Sequence, residues 1–246
     1  MIPIEPVQLA GARAGNTWRG AGADFSDPYS GFSVCHYVGD SPAHVAECRR
    51  ELAAFLGVRP EALIVPRQTH GCRIAVVDRV PFPPEELEST DAVITSLPGV
   101  AVGVNTADCV PVLLSAPGAG IVAAVHAGWR GAVAGIVGRT VARMVQLGAE
   151  PSDIRAAIRP CICVECFEVG EEVAVRFPEE FVVRREGVRP HVDLPSYVAS
   201  QLAEAGIKPG NISMPQGCTR CNPRRYFSAR AIGSPSGRIF SFVMRE

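Results

Sequence analysis

Residues 104–131, V-N-T-A-D-C-V-P-V-L-L-S-A-P-G-A-G-I-V-A-A-V-H-A-G-W-R-G, constrain the fold more than any other stretch. Two Val-rich apolar runs, Val110–Leu114 and Ile121–Val125, flank a Ser-Ala-Pro-Gly-Ala-Gly turn. Short runs bounded by Gly and Pro read as two buried strands. Folded back antiparallel, they set the start of the first beside the end of the second. Cys109 precedes the first run and His126 follows the second, so residues 17 apart in sequence face each other at one sheet end. A thiol and an imidazole so placed suit either a metal or a nucleophile with its base. A buried thiol beside a capping histidine is the plainer alternative.

The remaining chain predicts a mixed α and β pattern. Short strands and loops are expected over residues 1–30, and strands at Phe32–Val38, Ala62–Val65, Ile74–Asp78, Asp91–Thr95 and Val100–Val104. Ser41-Pro42 caps a helix whose apolar residues are Val45, Cys48, Leu52, Phe55 and Leu56, and Gly57 ends it. A long helix is expected from Trp129 to Leu147, with Val133, Ile136, Val137, Val141, Met144 and Val145 on one face. Further on come a strand at Ile154–Ile158, a helix at Glu168–Phe177 and a strand at Phe181–Val183. Asp193 caps the last helix, and strands near Ile212 and at Arg238–Val243 close the chain. With 246 residues, 47% of them apolar, and no repeat or linker, residues 1–246 read as one α+β domain.

Composition excludes some function classes. A net charge of −1 predicts no nucleic-acid surface, and no apolar run reaches membrane-spanning length. The start, M-I-P-I-E-P-V, lacks a basic region before an apolar stretch, so a cytoplasmic protein is expected. The basic residues are nearly all arginine, Lys208 being the one lysine, and the fixed fork of arginine suits phosphate and carboxylate. Nine cysteines without a leader fit a disulfide framework poorly. Cys161, Cys163 and Cys166 form C-x-C-x-x-C, and Cys218 and Cys221 form C-x-x-C. Together they could make a structural zinc or cluster site. A helix expected to start inside the first group favours reduced thiols in and near the core instead.

A third candidate ligand is His70, which follows a strand and precedes a glycine in Q-T-H-G. Two histidines and one cysteine would leave a zinc position open, as in catalytic rather than structural sites. Spacing alone does not bring His70 to the other two.

Q-T-H-G, D-A-V-I-T, T-A-D-C-V-P-V-L-L, H-A-G-W-R-G, C-F-E-V-G and the late F-S-x-R resemble, in order and over nearly the whole chain, the YfiH/YlmD family. That family is also called the laccase-domain or multicopper polyphenol oxidase family and is described as purine nucleoside phosphorylases. The resemblance implies a layered α/β sandwich with mixed sheets flanked by helices, likened to a Cys/His toxin deamidase fold. It implies zinc on His70, Cys109 and His126, with copper less favoured. It also implies phosphorolysis of adenosine, inosine and guanosine, extending to methylthioadenosine, and deamination of adenosine at C6 by a zinc-activated water. Arg19, Ser33 and Arg130 are the candidate substrate and phosphate contacts, and Asp108 is a candidate to orient His70 or His126. The chain departs from the family pattern at Ser33 and Tyr37, at Arg159 and Cys163 in glycine places, and after Arg230. These departures bear on substrate preference.

Three rivals share the residues. Cys109 could be the nucleophile of a cysteine hydrolase with His126 as base. A copper oxidase would need a blue-copper centre and a multinuclear cluster, and five histidines are too few. A binding module with a purely structural metal would need a fourth closing ligand.

Overall fold

The computed structural model describes residues 2–246 as four layers: helix, sheet, sheet, helices. The strands are β1 (Ile4–Leu9), β2 (Ala12–Thr17), β3 (Leu63–Ile64), β4 (Ile74–Val77), β5 (Ala92–Thr95), β6 (Ala101–Thr106), β7 (Val110–Ala116) and β8 (Ile121–Ala127). They continue with β9 (Arg155–Ile158), β10 (Val182–Arg185), β11 (Val188–Val192), β12 (Ile212–Ser213) and β13 (Ile239–Arg245). The helices are α1 (Pro42–Leu56), α2 (Trp129–Val133), α3 (Ile136–Gln146), α4 (Glu171–Ala174), α5 (Leu194–Glu204) and α6 (Ala229–Ile232).

A six-stranded sheet runs β12-β9-β7-β8-β5-β4, and a five-stranded sheet runs β1-β2-β13-β6-β3. Every residue of β7 and β8 is buried, because each face of these strands meets a different layer. Leu113, Val122 and Ala124 face the five-stranded sheet and pack with Val102, Val104 and Val243. Val112, Leu114, Ala123 and Val125 face the helices and pack with Ile136, Val137, Met144, Val198 and Leu202. Two buried faces explain why the sequence runs continuously apolar here rather than alternating. The outer face of the five-stranded sheet takes α1, through Cys48, Leu52 and Leu56 against Phe240 and Phe242.

The central hairpin has the expected register. Pro111 pairs with His126 and Val110 with Ala127, which sets Cys109 beside the far end of β8. Pro42 opens α1 and Gly57, at φ 71°, closes it; Ser41 stands at the cap position without a side-chain bond. Asp193 caps α5 by accepting from the Ser196 N–H at 3.2 Å.

Several expectations fail for local reasons. Phe32–Val38 is irregular chain, buried from Phe32 to Cys35, and the Ser33 hydroxyl accepts from the Arg238 and Cys35 N–H groups in place of a strand ladder. The helix expected from Trp129 to Leu147 is two, broken where Gly135 takes φ 81°, and Val145 is 40% exposed. The helix expected at Glu168–Phe177 shrinks to α4. Glu168 bridges His191, and the Val169 N–H is spent on the Pro190 carbonyl. No helix starts inside C-x-C-x-x-C: Val164–Cys166 is one 3-10 turn. Among the described residues no helix is long and apolar enough to cross a membrane.

Candidate metal centre

Three elements bring one ligand each to the open end of the six-stranded sheet. Cys109 sits where the chain enters β7, His126 lies near the end of β8, and His70 lies in the loop between β3 and β4. Their ligand atoms all lie within 4.8 Å of one another. The two imidazole rings meet edge to face, with centroids 4.8 Å apart. A Cβ added at Gly128 would come 2.8 Å from His70 Cδ2 and 3.1 Å from Cys109 Sγ, so only glycine leaves room there for both ligands. A His, His, Cys set around a hollow fits a borderline-soft ion such as Zn2+ with one position open.

One buried carboxylate organises the group. Asp91 precedes β5, which pairs antiparallel with β8, so Asp91 lies opposite His126. The His126 backbone N–H donates to the Asp91 carbonyl at 2.8 Å, and its ring Nδ1 donates to Asp91 Oδ1 at 2.8 Å. That bond fixes Nδ1 as the protonated nitrogen and leaves Nε2 for a ligand. The same carboxylate accepts the N–H groups of Thr69 (3.2 Å), His70 (2.9 Å) and Gly71 (2.8 Å). These bonds hold His70 at φ 62°, a conformation few non-glycine residues adopt.

Burial alone would raise the Cys109 thiol, but the His126 charge and hydrogen bonds from both histidines bring it down to about 6. Burial alone would lower His126, yet the Cys109 thiolate and Asp91 carry it up to about 9. Burial also opposes the charge of Asp91, and the hydrogen bond from His126 with those from the 69–71 loop overcomes it. Without a metal the pair is therefore thiolate and imidazolium. A cation at this point would take the place of the shared proton.

The other candidates are placed differently. Asp108 does not reach either histidine; Asp91 has the orienting role expected of it. Asp108, held at φ 92°, accepts from Thr219 Oγ1 at 2.6 Å and from the Arg230 N–H at 2.7 Å, which ties the C-terminal loops to the Cys109 turn. Arg19 is 2% exposed, and its guanidinium donates to the carbonyls of Ser30, Pro223, Asp24 and Asp27 between the rings of Phe25 and Phe227. Its donors are spent on main chain, so it is a structural clamp and not a phosphate contact. Ser33 is fully buried and holds the backbone of Arg238 rather than facing a ligand. Arg130 is exposed and stacks on Trp129, with its guanidinium carbon 4.2 Å from the ring centroid. It does not line the cleft above the triad.

That cleft, about 140 Å3, is walled by Tyr37, Gln68, Asn105, Thr106 and Arg238 around His70, Cys109 and His126. A larger cleft of about 400 Å3, lined in part by His36, Arg49, Phe82 and Glu88, contains none of the three ligands. Chemistry rather than size therefore locates the site. Asn105 is 3% exposed, and neither its Oδ1 nor its Nδ2 has a partner, which also holds for the Thr106 hydroxyl. Buried amides are normally satisfied, and this one, in a residue that lines the cleft, is not, which makes Asn105 a candidate ligand contact. Asp91, Gly128 and Asn105 all lie in recognisable motifs. What pointed to their roles was strand pairing, which spacing did not supply.

The profile of the family described as multi-copper polyphenol oxidoreductase laccase matches residues 13–246. Adenosine deaminase RL5, from an unknown prokaryotic organism, is 41% identical over 263 aligned positions covering 100% of both chains. A purine nucleoside phosphorylase of Deinococcus radiodurans is 37% identical over 91% of this chain and 85% of its own. Among solved structures, YlmD from Geobacillus stearothermophilus superposes with a TM-score of 0.88 at 30% identity, over 97% of this chain and 93% of the other. YfiH from Bacillus licheniformis also gives a TM-score of 0.88, at 29% identity over 96% and 93%. A profile match from residue 13 to the end, with relatives and solved structures aligned over most of the chain, means that this chain belongs to the multi-copper polyphenol oxidoreductase laccase family, the family of YfiH and YlmD.

Proposed function

We propose that this chain is a zinc-dependent purine nucleoside enzyme acting in the cytoplasm. It would cleave adenosine, inosine and guanosine, and by extension methylthioadenosine, with phosphate, and would deaminate adenosine to inosine. The observation that carries this reading is the convergence of His70, Cys109 and His126 beneath a cleft walled by an unpartnered Asn105. End-to-end similarity to an adenosine deaminase and to purine nucleoside phosphorylases supports the substrate class. All nine cysteines are free, which fits a reducing compartment.

His70 and Cys109 together with His126 Nε2 would hold Zn2+, which supplies a Lewis acid and acidifies a coordinated water towards neutrality. Asp91 keeps the His126 ring in the ligating tautomer. Asn105 offers one donor and one acceptor side by side, the pattern that pairs with a purine edge. Arg238 adds a fixed positive charge to the cleft wall, although its NH1 and NH2 groups are braced on the Ser234, Ser236 and Gly237 carbonyls. In phosphorolysis the C1′–N9 bond of the nucleoside breaks and a C1′–O bond to phosphate forms. In deamination water replaces the 6-amino group, which leaves as ammonia.

A second reading has its own support. Cys109, the His126 ring that takes its proton, and Asp91 would form a nucleophile, base and orienting carboxylate. One experiment separates the two: a nucleoside panel, with and without phosphate, on protein of measured zinc content, before and after chelation. Inosine should give hypoxanthine and ribose 1-phosphate only with phosphate, adenosine should give inosine and ammonia, and both rates should follow zinc and vanish in Cys109→Ala. Free ribose without phosphate would mean a hydrolase. Full activity after zinc removal would favour the thiol nucleophile.

A further inference from the structure

Four of the cysteines converge far from the triad in sequence. Cys163 precedes and Cys166 ends the 3-10 turn Val164–Cys166, and Cys218 and Cys221 bound a second tight turn. The two turns lie side by side: Cys161 forms a parallel bridge with Cys218, and the Thr219 N–H donates to the Cys161 carbonyl at 3.0 Å. All four sulfurs lie within 4.8 Å of one another. The Cys166 and Cys221 sulfurs are 3.4 Å apart, and the Cys163 N–H donates to Cys218 Sγ at 3.3 Å. Cys161 is buried and lies outside the group of four whose sulfurs converge.

We propose that Cys163, Cys166, Cys218 and Cys221 form a second metal site, a closed tetrahedral zinc that clamps the 163–166 turn to the 218–221 turn. Paired C-x-x-C turns supply two sulfurs each, and a tetrahedron of Zn–S bonds of about 2.3 Å has edges of about 3.8 Å, inside the observed spread. A sulfur pair at 3.4 Å is far beyond the disulfide length of about 2.05 Å, and every cysteine is free. Four thiolates select zinc or iron over calcium or magnesium, and a [4Fe–4S] cube would hold its cysteines farther apart than these are. A buried cysteine that served only as a small apolar residue would have no need of three other sulfurs. Four protein ligands leave no open position, so the site is structural, in contrast to the three-ligand triad.

The clamp sits where it can steady the triad. Thr219, between two of its ligands, donates its hydroxyl to Asp108, and the Ile162 N–H donates to the Asp108 carbonyl at 2.9 Å. Asp108 is the residue before Cys109. Nothing in the clamp depends on nucleoside chemistry.

Metal content and coordination test it directly. The wild type should hold about two zinc ions per chain and Cys109→Ala about one, and X-ray absorption on the latter should show sulfur-only coordination at about 2.3 Å. Cys163→Ser and Cys221→Ser should each remove about one zinc, while Cys72→Ser, outside both clusters, should remove none. Cadmium-exchanged wild type gives a check without variants, because an all-thiolate site and a two-histidine, one-thiolate site resonate at well-separated cadmium NMR shifts. If only the triad fails to bind zinc, wild type and Cys109→Ala both keep one all-sulfur zinc, and the clamp stands while the nucleoside reading falls. The clamp is overturned by a zinc-free Cys109→Ala protein that folds, by nitrogen or oxygen ligands on its remaining zinc, or by absence of the all-thiolate cadmium signal. Iron in the site, or a Cys166–Cys221 disulfide in the purified chain, would overturn it equally.

Discussion

Asp91 is the residue on which the centre depends, because it binds one ligand through its ring and another through its backbone. Asp91→Asn keeps the shape but can offer its NH2 to His126 Nδ1, which favours the wrong tautomer. Groups that orient metal-bound histidines commonly account for about 10–100-fold in affinity. Zinc affinity, measured by competition with a chelating dye, should fall in that range, and unchanged affinity would remove Asp91 from this role. In chelated protein the thiolate–imidazolium pair also sets a pH window. Cys109 is depressed, so its stabilising contribution is full above the ordinary value of 9.0 and is lost as pH falls through about 6. His126 is raised, so its contribution is full below the ordinary 6.5 and is lost as pH rises through about 9. Alkylation of Cys109, taken as the difference between wild type and Cys109→Ser, should therefore rise with a midpoint near 6 rather than near 9.

At the scale of elements, the β7–β8 hairpin was legible and the helix after it was not. Two apolar runs around a Pro-Gly turn leave little choice of register, so the nearness of Cys109 and His126 followed from spacing. Apolar positions recur at helical spacing straight across Gly135, and that pattern carries no sign of a break. The chain stops α2 with a left-handed residue and restarts as α3. An alanine at Gly135 would meet nothing within 4 Å, so its cost is purely conformational. Gly135→Ala should lower unfolding free energy by about 1–2 kcal/mol in a denaturant titration, with zinc content unchanged. Contacts set by pairing between elements distant in sequence were out of reach of spacing. Asp91 meets His126 only because β5 lies against β8, and the two C-x-x-C turns meet across 55 residues. His70 was placed by resemblance, since no periodicity links its loop to the hairpin.

Across the whole molecule, layering determines which arginines are structural. Arg19 leaves the end of β2 and gathers carbonyls from residues 24–30 and from Pro223, joining an early loop to the segment that follows the second C-x-x-C turn. Removing it would leave several buried carbonyls without donors at once. Charge-assisted hydrogen bonds are each worth about 1.5–3 kcal/mol, so Arg19→Met should cost about 3 kcal/mol or more in stability. The phosphate dependence of nucleoside cleavage should not move. A higher phosphate requirement at unchanged stability would restore Arg19 as an anion contact.

The two histidines of the triad cannot be adjusted one at a time. Asp91 fixes the tilt of one ring and the backbone angle of the other, so a displacement of this carboxylate moves both ligands together along a single coordinate. The opposite wall is tied to the same loop, because Gln68, beside Thr69, accepts from the Asn105 N–H at 2.7 Å and donates to the Asn105 carbonyl at 2.8 Å. The carboxylate, both histidines and the Asn105 wall are thus parts of one hydrogen-bonded unit. A substitution at Gln68 should therefore lower zinc affinity, read by the same dye competition, together with any nucleoside activity.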